Sequence, residues 1–331
     1  MQVVNNLLNH SFKFFVLGTL LAAITLFASI FLGNLDAPLS ELFKGLINRD
    51  DGLISTIMWQ IRMPRLFSAV ISGASLGLAG FLIQTSTKSP LGDPNLFGFG
   101  GGSVFLISFA VAGIIPTSNL SLFLLSCFGA SIIGIIFAFT TSKENLTPIK
   151  LALVGIALGA LSLSLSVGII SYGNIFPSQV LTLITGSFSS STWNAVQISG
   201  LAFITCLFLS CTVSSTLNVL LLGDRLSKTL SANPQKIRFI VMILVGILTG
   251  SSVHLGGLIG FVGLVSPHIA RKIVGNDSIK LVLMSSLIGG YFVLTSDQVA
   301  RLLFAPTELP VGLITTFIGA PMMMYIGVKL R

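Results

Sequence analysis

Seven stretches of 16 or more residues in this chain contain no Asp, Glu, Lys or Arg: Phe14–Leu35, Leu66–Thr87, Pro94–Ser142, Leu151–Gly223, Phe239–Ala270, Leu281–Ser296 and Leu309–Val328. A helix of roughly 20 apolar residues crosses the hydrocarbon core of a bilayer. The third, fourth and fifth runs each have room for two spans. Each is broken by a cluster of Gly, Pro, Asn or Ser, at Gly113–Asn119, Tyr172–Thr192 and Gly256–Gly260. Seven runs with three doublings give ten expected membrane helices. A transmembrane barrel would instead show short segments of alternating polarity. The expected fold class is therefore an all-α polytopic membrane protein, with residues 1–331 forming a single transmembrane domain. A soluble domain carries about 25% charged residues, whereas this chain has 8%, with 53% hydrophobic. The first run is too long for a signal-peptide core and no small-residue cleavage site follows it, so it is expected to stay as a helix.

The net charge of +8 invites a nucleic-acid reading until its distribution is considered. With residues 1–13 placed in the cytoplasm and ten spans alternating, the inner loops and both termini collect thirteen of the 18 basic residues and four acids. The outer side keeps five basic residues and six acids. That bias is the one expected of cytoplasmic loops. Three outer basic residues run against it: Arg62 and Arg65 at the mouth of the second span, and Arg301 at the end of the ninth. On their own, arginines there read as headgroup anchors. Asp297 is the one acid well inside a span, and Arg301 lies one turn onward, so an (i, i+4) pair is expected. An isolated intramembrane carboxylate would have suggested ion coupling.

Residues with catalytic or cofactor-binding potential are sparse. No Gly-Lys dipeptide occurs, so a phosphate-binding loop of the Walker type is excluded. Gly98, Gly100, Gly101 and Gly102 open an apolar span and read as close helix packing. Cys127, Cys206 and Cys211 lie inside apolar runs and read as packing residues. Met322, Met323 and Met324 are consecutive and point in different directions around a helix, which argues against joint metal ligation. His10, His254 and His268 are too scattered to form a metal site with the cysteines; a proline-turn hydrogen bond is expected for His268. The segment 36–61 reads as an outer loop. Within 221–238, Leu222, Leu226 and Leu230 recur every four residues among charges, up to Asn233-Pro234. That is a short amphipathic helix, suited equally to the membrane surface or to a groove on a cytoplasmic partner.

Several blocks in order then resemble one family. They are Arg62-Met63-Pro64-Arg65, Ser89-Pro90-Leu91-Gly92-Asp93-Pro94 with Gly98 beyond, and Gly260 to Arg271 with its Ser266-Pro267-His268. They continue with Asp297-Gln298-Val299-Ala300-Arg301, Glu308-Leu309-Pro310-Val311-Gly312 and Gly319-Ala320-Pro321. Over roughly residues 55–331 the chain resembles the FecCD-type permease subunits of bacterial ABC importers for ferric siderophores, haem and vitamin B12. The resemblance implies a ten-helix type II importer permease in the cytoplasmic membrane with both termini inside, working as a dimer. It implies two cytoplasmic ATPase subunits, which bind the ATP and Mg that this chain has no motif for, and an external binding protein or lipoprotein that delivers the cargo. Ferric siderophore is the favoured cargo, with haem or vitamin B12 as alternatives, and an ion-coupled secondary transporter is the rival class. No enzyme activity and no nucleic-acid partner are implied.

The resemblance also assigns roles. Arg62, Arg65 and Arg301 become contacts for the binding protein. Gly223, Asp224, Leu226, Leu230 and Ser231 become the ATPase-coupling segment. Ser89, Pro90, Leu91 and Pro94 form the inner-gate turn, and Pro267, His268, Arg271, Asp297, Glu308 and Pro310 are structural. Ser231, Ser89 and Gly92 depart from the family pattern, where Gly, Asn and Ala are usual. Those departures favour a heterodimer of two related permeases, although a homodimer stays open.

Overall fold

The computed structural model describes residues 25, 29, 39–47, 52–141, 148–173, 182–221, 234–305 and 307–329. The first expected span, apart from Thr25 and Ser29, and the whole Gly223–Ser231 part of the coupling segment lie outside the described residues. Those described form helices joined by turns, with no strand among them. In chain order they are α1 (Leu39–Ile47), α2 (Leu53–Thr56), a π-helical turn (Ile57–Arg62), α3 (Met63–Thr87), α4 (Phe99–Val111) and α5 (Asn119–Thr141). There follow α6 (Pro148–Tyr172), α7 (Trp193–Leu221), α8 (Pro234–Gly256), α9 (Val262–Val274), α10 (Ser278–Leu302) and α11 (Val311–Lys329). Six helical stretches are long and apolar enough to cross a membrane, and α4 and α11 add shorter apolar helices. The three expected breaks fall in the gaps between α4 and α5, α6 and α7, and α8 and α9. Among the described residues α3 to α11 make nine helical segments, of which α9 has only 13 residues.

Helix α3 is the central post, packing against α7, α8, α9 and α10. Lipid removes the hydrophobic drive between helices, so close backbone approach and interhelical hydrogen bonds must hold the bundle. The sequence supplies both. Gly73, Gly77 and Gly80 form one stripe of α3: a Cβ on Gly73 would collide with Gly289 of α10, and one on Gly80 with Gly263 of α9. Ser68, Ser72 and Ser75 form another stripe, fully buried, and the Ser72 hydroxyl meets that of Ser252 of α8 at 2.6 Å. The opening glycines of α4 serve packing, as expected: Gly102 faces Gly129 of α5, and Gly98, at φ +85°, faces Gly155 and Gly159 of α6.

The expected outer loop 36–61 is largely helical. Helix runs without a break from Leu53 to Thr87, 35 residues. The charge-free pattern missed this because Arg62 and Arg65 interrupt the run, yet both are buried. Pro64 has no N–H for the carbonyl four residues back, and the π turn just ahead of it re-aims the chain. Helix α1 folds back on that turn: Leu42 packs on Met58, and the Trp59 indole donates to the Leu46 carbonyl at 3.3 Å. The Trp193 indole then donates to the Trp59 carbonyl at 2.7 Å, fixing α7 to the same turn.

Candidate functional sites at the two ends of α3

At the first end of α3, Arg65 is 8% exposed and Asp297 of α10 only 1%. Arg65 Nη2 donates to Asp297 Oδ1 at 2.8 Å, and Nε reaches both carboxylate oxygens at 3.1 and 3.2 Å. Its other edge is taken by Glu308, with Nη1 at 2.9 and 3.0 Å from the two Oε atoms. The Glu308 loop is held in reach by main-chain bonds from Leu309 N to Ala300 O and from Val311 N to Gly186 O. This corrects one expectation. Asp297 pairs across the helix interface with Arg65 and not along its own helix with Arg301. Arg65 itself is fully engaged between two carboxylates, so a docking partner would first have to displace Glu308. The planar guanidinium of Arg65 reaches Asp297 side-on with two nitrogens.

Arg301 is half-buried beside this cluster, in the electrostatic field of Arg65, Asp297 and Glu308, and it makes no ion pair with the described residues. Arg62 is 7% exposed and feels the Arg301 charge. The structure thus gathers Arg62, Arg65, Arg301, Asp297 and Glu308 at one place, with three cations against two acids. Pro310 is half-buried at the start of α11.

At the other end of α3, Lys88 turns the chain in the left-handed region, φ +53°, and Phe261 does the same at φ +67° just before α9. Each such non-glycine residue costs of order 1–3 kcal/mol, and persists only where its surroundings over-determine it. Between them lies a tight polar assembly. The Gln84 side chain, 3% exposed, donates from Nε2 to the Gly92 and Gly263 carbonyls, each at 3.1 Å. Its Oε1 accepts from Arg271 Nη1 of α9 at 2.6 Å. The Gly263 carbonyl is available because Pro267, four residues on, has no N–H to offer it.

The turn itself is built around Asp93. Its Oδ1 accepts from the Asn95 and Leu96 amides at 2.9 and 3.2 Å. Oδ2 faces the Gly263 and Leu264 amides at the start of α9 without closing a hydrogen bond of good geometry to either. Burial pushes the Asp93 carboxyl up to about 6, against the opposing pull of these amides. Asn95 Nδ2 donates to the Ile259 carbonyl at 2.7 Å, tying the turn to the entry of α9.

Of the expected turn residues, Ser89 and Pro94 are buried, Pro90 is exposed, and Leu91 packs with Leu264 and Val265. Met322 and Met323 join that same apolar cluster, as packing predicts, and no group of metal-ligating side chains occurs among the described residues. Pro267 is buried and His268 half-buried within α9.

Sequence reasoning missed Gln84 and Asn95. Gln84 did carry a signal: it is the only amide side chain in the Leu66–Thr87 run. A cavity of about 460 Å³ opens beside the turn, lined by Asp93 and Asn95, by Gly159 and Leu163 of α6, and by Gly312 and Thr316 of α11.

Among the described residues the helical bundle carries a buried ionic clamp at one end of its central helix and a braced turn at the other. The chain belongs to the FecCD transport family, whose model matches residues 20–329. It is 34% identical over 318 residues to the probable siderophore transport system permease protein YfhA of Bacillus subtilis, covering 94% of this chain and 93% of the relative. It is 33% identical over 318 residues to the Fe(3+)-citrate import system permease protein YfmD of the same organism, covering 96% and 95%. The fold superposes on an inward-facing structure of a metal-chelate type ABC transporter with a TM-score of 0.80 at 27% identity, covering 96% of this chain and 99% of that one.

Proposed function

We propose that this chain is the permease subunit of an ATP-driven importer that moves ferric-siderophore complexes across a bacterial cytoplasmic membrane, with both termini inside. The observation that carries the reading is family membership over residues 20–329, in a chain without a nucleotide-binding motif. ATP and Mg belong to two partner ATPases, which engage the Gly223–Ser231 segment. The permease contributes a bundle with two stable arrangements, switched by its partners.

A second permease, favoured as a related but distinct chain, covers the open cavity beside α6 and α11 and so completes the path. An external binding protein docks acidic residues on the Arg62 and Arg301 end, while Arg65 stays in its clamp. The Ser89–Pro94 turn acts as the inner gate. Ion coupling is disfavoured because Asp297, the intramembrane carboxylate, is already neutralised by Arg65.

The test is to identify the binding protein that functions with this permease and titrate it with ferric siderophores, haem and cobalamin, following fluorescence quenching. Tight binding of ferric siderophores supports the reading; tight binding of haem or cobalamin alone overturns the cargo. Co-expression of this chain alone with the ATPase, yielding an active transporter, would overturn the heterodimer.

A further inference from the structure

We propose that Gln84 is a positioning residue that couples the hold on the Ser89–Pro94 turn to the position of α9, an inference that rests on reading that turn as the gate. Gln84 joins all three parts by its side-chain hydrogen bonds. It sits on α3, bonds the turn at the Gly92 carbonyl, and bonds α9 twice, at the Gly263 carbonyl and at Arg271. Both Nε2 hydrogens are spent, and water has no access at 3% exposure.

The fit depends on residues far apart in sequence. Pro267 frees the Gly263 carbonyl. Gly80, one turn before Gln84, lets α9 come close enough to be reached. A shift of α9 along α3 strains the Arg271 and Gly263 bonds together, because both end on the same amide. Moving that amide also withdraws the donor from Gly92, so the turn is released or held according to where α9 stands.

Substitutions separate this role from simple packing. Glu at position 84 keeps the size and the Arg271 acceptor but has no hydrogen for either carbonyl. Arg271→Gln leaves both Nε2 bonds in place. The experiment uses the assembled transporter with its ATPase in proteoliposomes. It follows hydrogen exchange of the peptide spanning residues 88–98, together with cargo moved per ATP hydrolysed.

In Gln84→Glu the turn is expected to exchange about tenfold faster, with α4 and α10 unchanged, and cargo per ATP to fall about fivefold while hydrolysis continues. Arg271→Gln is expected to keep turn exchange within about twofold of the parent. If the Glu variant does not assemble, Gln84→Asn, too short to span both carbonyls, takes its place with the same expectation. Unchanged turn exchange overturns the tie. Equal acceleration in both variants also overturns it, because packing and not the amide then holds the turn. Faster exchange with cargo per ATP unchanged leaves the bonds real but refutes the gate reading on which the inference rests.

Discussion

Arg65 and Gln84 stand 19 residues apart on α3, about 28 Å along its axis, and each is the polar centre of its end. At the Arg65 end a cation is saturated by two carboxylates, one of them almost fully buried. At the Gln84 end a neutral amide shares three bonds among main-chain carbonyls and one arginine. Removing one partner of a buried ion pair strands a charge, so that end is held all or nothing. Bonds to a neutral amide contribute about 1 kcal/mol each and can be exchanged singly. One end of the helix is therefore suited to a fixed platform, and the other to a joint that opens and closes.

The sharpest way to break this comparison is Arg65→Ala. It leaves Asp297 buried without its cation and is expected to cost about 3–5 kcal/mol, read as a large drop in the melting midpoint of the detergent-solubilised transporter. An unchanged midpoint would make the clamp a surface feature. Arg301→Gln is the contrast at the same end: no change in melting, but uptake reduced about tenfold as a steering charge is lost. Equal melting losses in the two variants would erase the distinction between clamp and docking cation.

At the other end, Gln84→Leu leaves two buried carbonyls and Arg271 short of a partner. It is expected to lower stability by about 2–3 kcal/mol, less than Arg65→Ala in the same melting assay.

Asp93 gives a pH-dependent effect. Its folded carboxyl titrates near 6, above the usual 3.8, so the folded state holds the proton more tightly than the unfolded chain between those values. Stability from this group is therefore present at the acid end and is lost as pH rises from about 4 to about 6, by at most about 1.4 kcal/mol per unit. Asp93→Asn keeps the acceptor for the Asn95 and Leu96 amides and should flatten that slope. A parent protein whose stability rises across the window would contradict the assignment. The smallest expected change is Pro267→Ala, which restores an N–H to compete for the Gly263 carbonyl. It should cost less than about 1 kcal/mol but speed exchange in the 88–98 turn.

Most of the bundle was legible in the sequence, because charge-free length and small-residue stripes follow directly from the demands of lipid. The three breaks between paired spans fell where the Gly and Asn clusters stand. What the pattern could not reveal were bonds between residues distant in sequence. A local rule paired Asp297 with Arg301, whereas the real partner, Arg65, lies 232 residues away. Arg62 and Arg65 looked like the end of a span because their charges were counted without their partners. The role of Pro267 was also hidden: a proline in a helix advertises a freed carbonyl, but nothing in its neighbourhood of the chain names Gln84 as the donor.

The proposed importer is driven by ATP hydrolysed on partner subunits and not by an ion gradient. Radioiron uptake as a ferric siderophore into proteoliposomes holding the assembled transporter tests it most directly. Uptake should require ATP on the ATPase side, persist when an ionophore collapses all gradients, and fall about tenfold in Arg301→Gln. Uptake that continues without ATP and stops with the ionophore would make the protein an ion-driven transporter instead.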